Sequence, residues 1–147
     1  MNYASMILAA AKAAKVSGIL LLAICSHESG GFTQNYSPMD HGSPSFGSCQ
    51  IKLDTAKFLG FNGNPEELNK PKINFRYAAL YLQYQQRRYG DNWVQVTSAY
   101  NAGSFLPSRY NSRTCPRNLR YIRLVQNKLP EEFKERLNCG EVVAENP

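Results

Sequence analysis

Glu28 is the residue whose type and position most directly suggest chemistry. It follows Ile24 by four residues and Leu20 by eight, which places all three on one face of a predicted helix. The apolar face withdraws the carboxyl group from water, and the negative partial charge of a helix C-terminus acts in the same direction. Both effects favour the neutral acid. A carboxylic acid that stays protonated near neutral pH can give its proton to a leaving oxygen, as cleavage of a glycosidic bond requires.

An isolated glutamate at a helix end is usually only a polar residue, so the interpretation of Glu28 depends on two other segments. In the first, Gly47 allows a close backbone approach and Gln50 offers an amide donor and acceptor. In the second, Tyr100 and Asn101 place a phenol and an amide side by side at the end of a predicted helix. Such pairs suit a saccharide groove, although core packing explains Tyr100 equally well.

The elements that must position these residues are predicted to be mostly helical. An alanine-rich first helix covers residues 4–15, and Ser17 can cap the second helix, which is apolar all round and therefore central. Asp91 is predicted to cap a later helix, which Gly103 closes. No confident strand appears, although a small β element within residues 32–51 is compatible with the pattern.

The composition is that of one folded domain with a basic surface. The 147 residues are 43% hydrophobic, which predicts a single domain over residues 1–140 and a C-terminal tail over residues 141–147. Seventeen Lys and Arg against eleven Asp and Glu give a net charge of +6. Such a charge attracts nucleic acid, an anionic membrane surface or an acidic cell wall, and its sign alone does not choose among them.

The N-terminal apolar run resembles a signal peptide but is better interpreted as a buried helix. The run from Ile19 to Cys25 is too short to span a membrane, and it leads directly into Glu28, so cleavage there would remove the chemistry. No export signal and no stable membrane insertion are therefore expected. His27 and His41 lack ligand partners at helical spacing, and neither a metal nor another cofactor is expected.

The four cysteines permit three disulfide pairings, and the sequence does not choose among them. They are Cys25, Cys49, Cys115 and Cys139, and none has the CxxC spacing of a zinc site. Cys115 and Cys139 could pair in an oxidising compartment, while free buried thiols are an equally good interpretation.

Several segments, in order and at suitable spacing, are similar to the motifs of one enzyme family. Glu28-Ser29 with Phe32 resembles the catalytic Glu-Ser block of the soluble lytic transglycosylases, and Ser37, nine residues past Glu28, resembles their loop serine. Residues 47–51, followed by Thr55-Ala56, resemble the family's Gly-Leu-Met-Gln-Ile block, and residues 74–82 resemble its Asn-Ile-x-x-Gly-x-x-Tyr-Leu helix. Residues 99–103 resemble its Ala-Tyr-Asn-Ala-Gly motif, and residues 121–125 resemble its Tyr-Val-x-x-Val stretch. This family is a branch of the lysozyme-like superfamily, and the resemblance covers roughly residues 5–126.

The resemblance implies a mostly α lysozyme-like fold with a long active-site loop, and cleavage of peptidoglycan glycan strands by a monomer. Glu28 would be the catalytic acid and then the base, leaving a 1,6-anhydro ring on N-acetylmuramic acid. The other segments imply a substrate-binding set that consists of Ser37, Gly47, Gln50, Tyr100, Asn101 and Tyr121. Two features depart from the family pattern: Ser48 and Cys49 replace the usual Leu and Met, and the loop after Ser37 is longer than expected.

Three alternatives remain open at this point. Asp40, in the longer loop, could activate a water for a hydrolytic muramidase similar to goose-type lysozyme, or it could be a solvated turn residue. A non-catalytic wall-binding protein would not need Glu28 in its motif. A nucleic-acid-binding domain would explain the net charge of +6 but not the set of Glu28, Gln50 and Tyr100, so no nucleic-acid partner is expected.

The substrate of such an enzyme lies outside the cytoplasm. Without an export signal, the chain would reach the cell wall as a phage lysin released by a holin, as part of a virion, or by a dedicated export machine.

Overall fold

Helices make up most of the chain, which is described here by a computed structural model for residues 2–29, 36–40 and 43–140. The six α-helices are α1 (Tyr3–Ala14), α2 (Gly18–Glu28), α3 (Leu53–Phe58), α4 (Pro71–Tyr89), α5 (Trp93–Ala102) and α6 (Leu119–Gln126). Two 3₁₀ segments cover Pro65–Asn69 and Glu131–Leu137. Three short strands are β1 (Tyr36–Asp40), β2 (Ser43–Phe46) and β3 (Ile51–Lys52). The prediction of a mostly α fold with a small β element is confirmed.

The chain divides into two compact units, Met1–Tyr84 and Gln85–Pro147, and the boundary falls within α4. The first unit contains α1, α2, the sheet and α3, and the second contains α5 and α6. The single domain over residues 1–140 stays a prediction, and the tail over residues 141–147 lies outside the described residues.

The first two helices are fixed by their N-caps and by an apolar interior. The Asn2 side chain accepts a hydrogen bond from the Ser5 amide at 2.8 Å, and Ser17 Oγ accepts one from the Leu20 amide at 3.1 Å, as predicted for Ser17. Five of the eleven residues of helix α2 are buried and none is fully exposed, and Leu21 has no exposed surface. It is therefore a central helix, which holds its C-terminal residue in a fixed position.

The strands form one antiparallel sheet in the order β1-β2-β3. Ser37 pairs with Ser45, and the register between β1 and β2 then shifts before Asp40 pairs with Ser43. Pro38 lies within this irregular part, where its missing N–H would interrupt a regular ladder. The prolines explain why the sequence indicated a loop more strongly than a sheet.

In the second unit, the predicted cap of α5 was wrong by one residue. Asn92, and not Asp91, is the N-cap, because its side chain accepts from the Gln95 amide at 3.0 Å and the helix begins at Trp93. Asp91 instead forms an exposed ion pair with Arg136 at 3.2 Å. Among the described residues, no helix is both long enough and apolar enough to cross a bilayer.

Candidate active site

Glu28 is the last residue of α2, and its side chain is half-buried. The two residues that precede it on the same helix face are buried, with Leu20 2% exposed and Ile24 wholly enclosed. The next residue, Ser29, is the C-cap of the helix, and both its amide and its hydroxyl donate to the Cys25 carbonyl, at 3.1 and 3.0 Å. The Glu28 carboxyl group is thus carried at the rim of the core on a rigid element.

A disulfide joins this end of α2 to the Gly47–Gln50 segment. Cys25 and Cys49 are bonded with a Cα–Cα distance of 4.2 Å, and neither has any exposed surface. Glu28 follows Cys25 by three residues, a rise of roughly 5 Å along the helix, and Gln50 follows Cys49 directly. The bond therefore brings two separately predicted parts of the site together, and it accounts for the cysteine that departs from the family pattern.

The second pair, Cys115 and Cys139, is also disulfide-bonded, with a Cα–Cα distance of 5.0 Å, so of the two alternatives left open from sequence the structure has the disulfide and not free thiols. None of the four cysteines is free.

The Gly47–Gln50 segment is a tight hairpin turn between β2 and β3. Two of its residues have left-handed backbones, Gly47 with φ +72° and Gln50 with φ +50°. The Gln50 amide and its Nε2 both donate to the Gly47 carbonyl, at 3.1 and 2.8 Å, and the Gly47 amide donates to Asn69 Oδ1 at 3.0 Å. The turn uses one of the two Nε2 hydrogens of Gln50, so Oε1 and the second hydrogen are what this side chain offers to a ligand.

Asn74, the first residue of the motif over residues 74–82, is a positioning residue. It is completely buried on α4, and its Oδ1 accepts from the Cys49 amide at 2.9 Å. Its Nδ2 donates to the carbonyls of Phe46 at 2.7 Å and Leu68 at 2.9 Å. One amide thus satisfies three backbone groups around the turn. An asparagine between apolar neighbours on a helix was the signal that could have identified it.

Gly47 is required at its position for two reasons. Its φ of +72° is unfavourable for residues with a Cβ, and a Cβ there would lie 2.2 Å from Asn74 Nδ2. The predicted close backbone approach at Gly47 is therefore an approach to the Asn74 amide.

Ser37 and the possible second carboxylate, Asp40, both lie on β1. Ser37 is paired with Ser45 in the same small sheet that ends in the hairpin turn, and Asp40 is the last residue of the strand. Only the backbone of this strand is described. His41, for which no ligand role was expected, lies outside the described residues.

The remaining predicted residues belong to the second unit. Tyr100 on α5 and Tyr121 on α6 are 6% and 8% exposed, whereas Asn101 is exposed. Asn118 connects the two helices, because its Nδ2 donates to the Ser98 carbonyl at 3.1 Å and to Asn101 Oδ1 at 2.9 Å. The Asn101 oxygen is thereby fixed, which leaves its amide nitrogen as the atom presented to a ligand.

The structure thus ties a half-buried carboxyl group at the end of a core helix to a hairpin turn that bears an amide side chain. The sequence matches the Transglycosylase SLT domain family over residues 5–118, and the chain belongs to that family. Enzymes of this family act on the peptidoglycan of the cell wall. A comparison with curated proteins gave no match.

The fold is similar to that of a solved structure, an inactive mutant of the lytic transglycosylase Slt from Pseudomonas aeruginosa. The TM-score is 0.58 at 20% sequence identity, and the match covers 90% of this chain. It covers only 22% of the Slt chain, so this chain corresponds to about a fifth of that protein. The likeness shows a lysozyme-like lytic transglycosylase fold.

Proposed function

We propose that this chain is a peptidoglycan lytic transglycosylase that cleaves the β-1,4 bond between N-acetylmuramic acid and N-acetylglucosamine, with Glu28 as its general acid and base. The observation that carries the proposal is the Cys25–Cys49 disulfide, which ties the end of α2 to the turn that bears Gln50. Membership of the SLT family supports it. In the inactive Slt mutant, glutamine replaces a glutamate. We expect the same type of substitution, Glu28→Gln, to inactivate this chain.

In the proposed reaction, one carboxyl group performs both proton transfers. The Glu28 carboxylic acid gives its proton to the glycosidic oxygen as the bond from that oxygen to the anomeric carbon of N-acetylmuramic acid breaks. The muramoyl N-acetyl group stabilises the developing positive charge. The Glu28 carboxylate then accepts the proton of the muramoyl C6 hydroxyl, whose oxygen attacks the anomeric carbon and closes a 1,6-anhydro ring. No water is consumed, so a second carboxylate is not required.

The other predicted residues would bind and orient the glycan. Gln50 Oε1 is suited to accept from an acetamido N–H, and the Asn101 amide nitrogen is suited to donate to a sugar oxygen. Tyr100, Tyr121 and Ser37 belong to the same proposed substrate-binding set. In this scheme Asn74 makes no contact with the substrate and acts by holding the turn that carries Gln50.

The compartment and the charge fit a wall-degrading enzyme. Two disulfides persist in oxidising surroundings outside the cytoplasm, where peptidoglycan lies. The net charge of +6 favours association with an anionic wall. We further propose that the chain acts on the wall as a monomer.

The decisive test is mass spectrometry of the products from purified peptidoglycan. Anhydro-muropeptides, lighter than reducing muropeptides by one water, are the expected product. Reducing muramic acid ends would replace the proposal by the hydrolytic muramidase, and Asp40→Asn would then be the variant to assay. If no glycan were cleaved while the protein still sedimented with the wall, the non-catalytic binding alternative would take its place.

Glu28→Gln tests the assigned residue. It should abolish product formation while leaving the far-UV circular dichroism spectrum and wall sedimentation unchanged. Glu66→Gln is the matched control, because Glu66 is an exposed glutamate in the 3₁₀ segment Pro65–Asn69 and should keep full activity. Turnover by Glu28→Gln above one hundredth of the wild-type rate would reject Glu28 as the acid.

A further inference from the structure

A trough lies between α1 and α4, and none of the residues that line it belongs to the proposed active site. Its volume is about 920 Å³. The two helices meet at both ends of the trough. Tyr3 packs edge-on against Phe75 with ring centroids 5.4 Å apart, and Gln83 Nε2 donates to the Ala14 carbonyl at 2.8 Å. Between these contacts the helices leave an elongated space that is open to solvent.

The walls of the trough are apolar and mostly small. Helix α1 contributes Met6, Ala9, Ala10 and Ala13, and α4 contributes Phe75 and Leu80. The alanines recur at helical spacing, so they form one continuous side along α1. Counting the rise per residue between the two end contacts gives a length of roughly 12–16 Å, enough for two to three turns of another α-helix. Small side chains allow the backbone of such a helix to approach closely.

The charge around the trough has one sign. Neither α1 nor α4 contains an acidic residue. Lys72 and Arg76, which lie one helical turn apart, are exposed on the α4 side of the trough. Within residues 2–29, 36–40 and 43–140, neither of them forms an ion pair with a carboxylate. The apolar floor thus has a basic rim that is not neutralised by this part of the chain.

We propose that this trough is the docking site for an amphipathic helix of a partner protein, one with a narrow apolar stripe and acidic residues beside it. Carboxylates of the partner would pair with Lys72 and Arg76 while its apolar stripe covers the alanines of α1. A concave trough suits a helix better than the flat surface of a membrane. A glycan is a poorer fit, because the lining between the end contacts is mostly apolar and offers few groups for directional hydrogen bonds to sugar hydroxyls.

The experiment uses the full chain and a synthetic helical peptide of 16 residues, with leucine and alanine at i, i+3, i+4 and i+7 and glutamate on both flanks. Binding is followed by fluorescence anisotropy of the labelled peptide and by amide chemical shifts of the ¹⁵N-labelled protein. We expect saturable binding, with the largest shifts at Met6, Ala9, Ala10 and Ala13. A peptide with lysine in place of every glutamate should bind at least about tenfold more weakly.

Charge reversal provides the matched comparison. The double variant Lys72→Glu/Arg76→Glu should lose about tenfold in affinity for the acidic peptide and gain affinity for the lysine peptide. Lys57→Glu/Arg87→Glu changes the net charge by the same amount at exposed positions outside the trough, and should change neither affinity by more than about twofold. Ala13→Leu, an exposed helical substitution that fills the trough, should weaken binding without altering the circular dichroism spectrum.

Three outcomes would overturn the proposal. They are no saturable binding of the acidic peptide up to about 1 mM, equal effects of the two charge-reversal variants, and shifts that map away from α1 and α4. Binding to vesicles that contain phosphatidylglycerol, without binding to the peptide, would replace the partner helix by an anionic membrane surface.

Discussion

Removal of the Cys25–Cys49 disulfide should abolish most of the activity of this chain, whereas removal of the Cys115–Cys139 disulfide should not. The perturbations are the double variants Cys25→Ala/Cys49→Ala and Cys115→Ala/Cys139→Ala. They form a matched pair, because each bond joins cysteines separated by 24 residues. The first bond lies beside the proposed catalytic residue, and the second lies in the other unit.

The equal loop lengths give equal expected costs in stability. Opening a loop of this length returns conformational entropy to the unfolded chain that corresponds to about 3.5 kcal/mol at 25 °C. Each double variant should therefore lose about that much unfolding free energy in guanidinium denaturation followed by circular dichroism. The first variant should lose somewhat more, because both of its cysteines are fully buried and their loss leaves a small cavity.

The activities should differ although the stabilities are similar. Without the first bond, the turn that carries Gln50 is no longer attached to α2 three residues before Glu28. A displacement of about 1 Å at a reacting centre can reduce a rate roughly a hundredfold, so a loss of more than about tenfold in muropeptide release per folded molecule is expected. The second variant should stay within about threefold of the wild type. Equal specific activities of the two variants, measured where both are folded, would refute a positioning role for the Cys25–Cys49 bond.

Two further predictions test the positioning residues. Gly47→Ala should lower the unfolding free energy by about 3–5 kcal/mol, because it adds a clash with Asn74 to the left-handed strain. Gly90 has a similar φ of +70° with no atom near the new Cβ, so Gly90→Ala should lower the unfolding free energy by only about 1–2 kcal/mol. Guanidinium titrations that gave the same loss of unfolding free energy for both variants would contradict the reasoning. Asn118→Ala should raise KM for glycan fragments several-fold with a smaller change in kcat, because the Asn101 amide loses its fixed orientation. Steady-state kinetics that showed only a fall in kcat would argue against this role of Asn118.

Local signals made the helices predictable. A cap depends on a side chain that reaches an amide two or three residues further on, so Ser17 could be identified from sequence alone. The same locality left one ambiguity. Asp91 and Asn92 are neighbouring residues that both suit the cap position, and the structure selects Asn92 while Arg136, 45 residues away, pairs with Asp91.

The contacts that build the candidate site could not be predicted because they join residues that are distant in sequence. Glu28, Gly47 and Gln50 were identified from residue type and motif, but the disulfide that relates them was one of three equivalent pairings. The bonds of Asn74 to the turn span 25 and 28 residues, and no periodic pattern encodes them. The sheet was obscured because its prolines are typical of loops.

Three independent attachments hold the turn that bears Gln50. The disulfide fixes Cys49 to α2, Asn74 fixes the Cys49 amide to α4, and Asn69 fixes the Gly47 amide to the 3₁₀ segment that precedes α4. Because the turn contains two left-handed residues, its backbone would otherwise favour other conformations. The three attachments act on different atoms, so loss of one should loosen the turn without unfolding the unit. The attachment to α2 is the one that also holds Glu28, and for that reason the disulfide should affect catalysis more than its contribution to stability suggests.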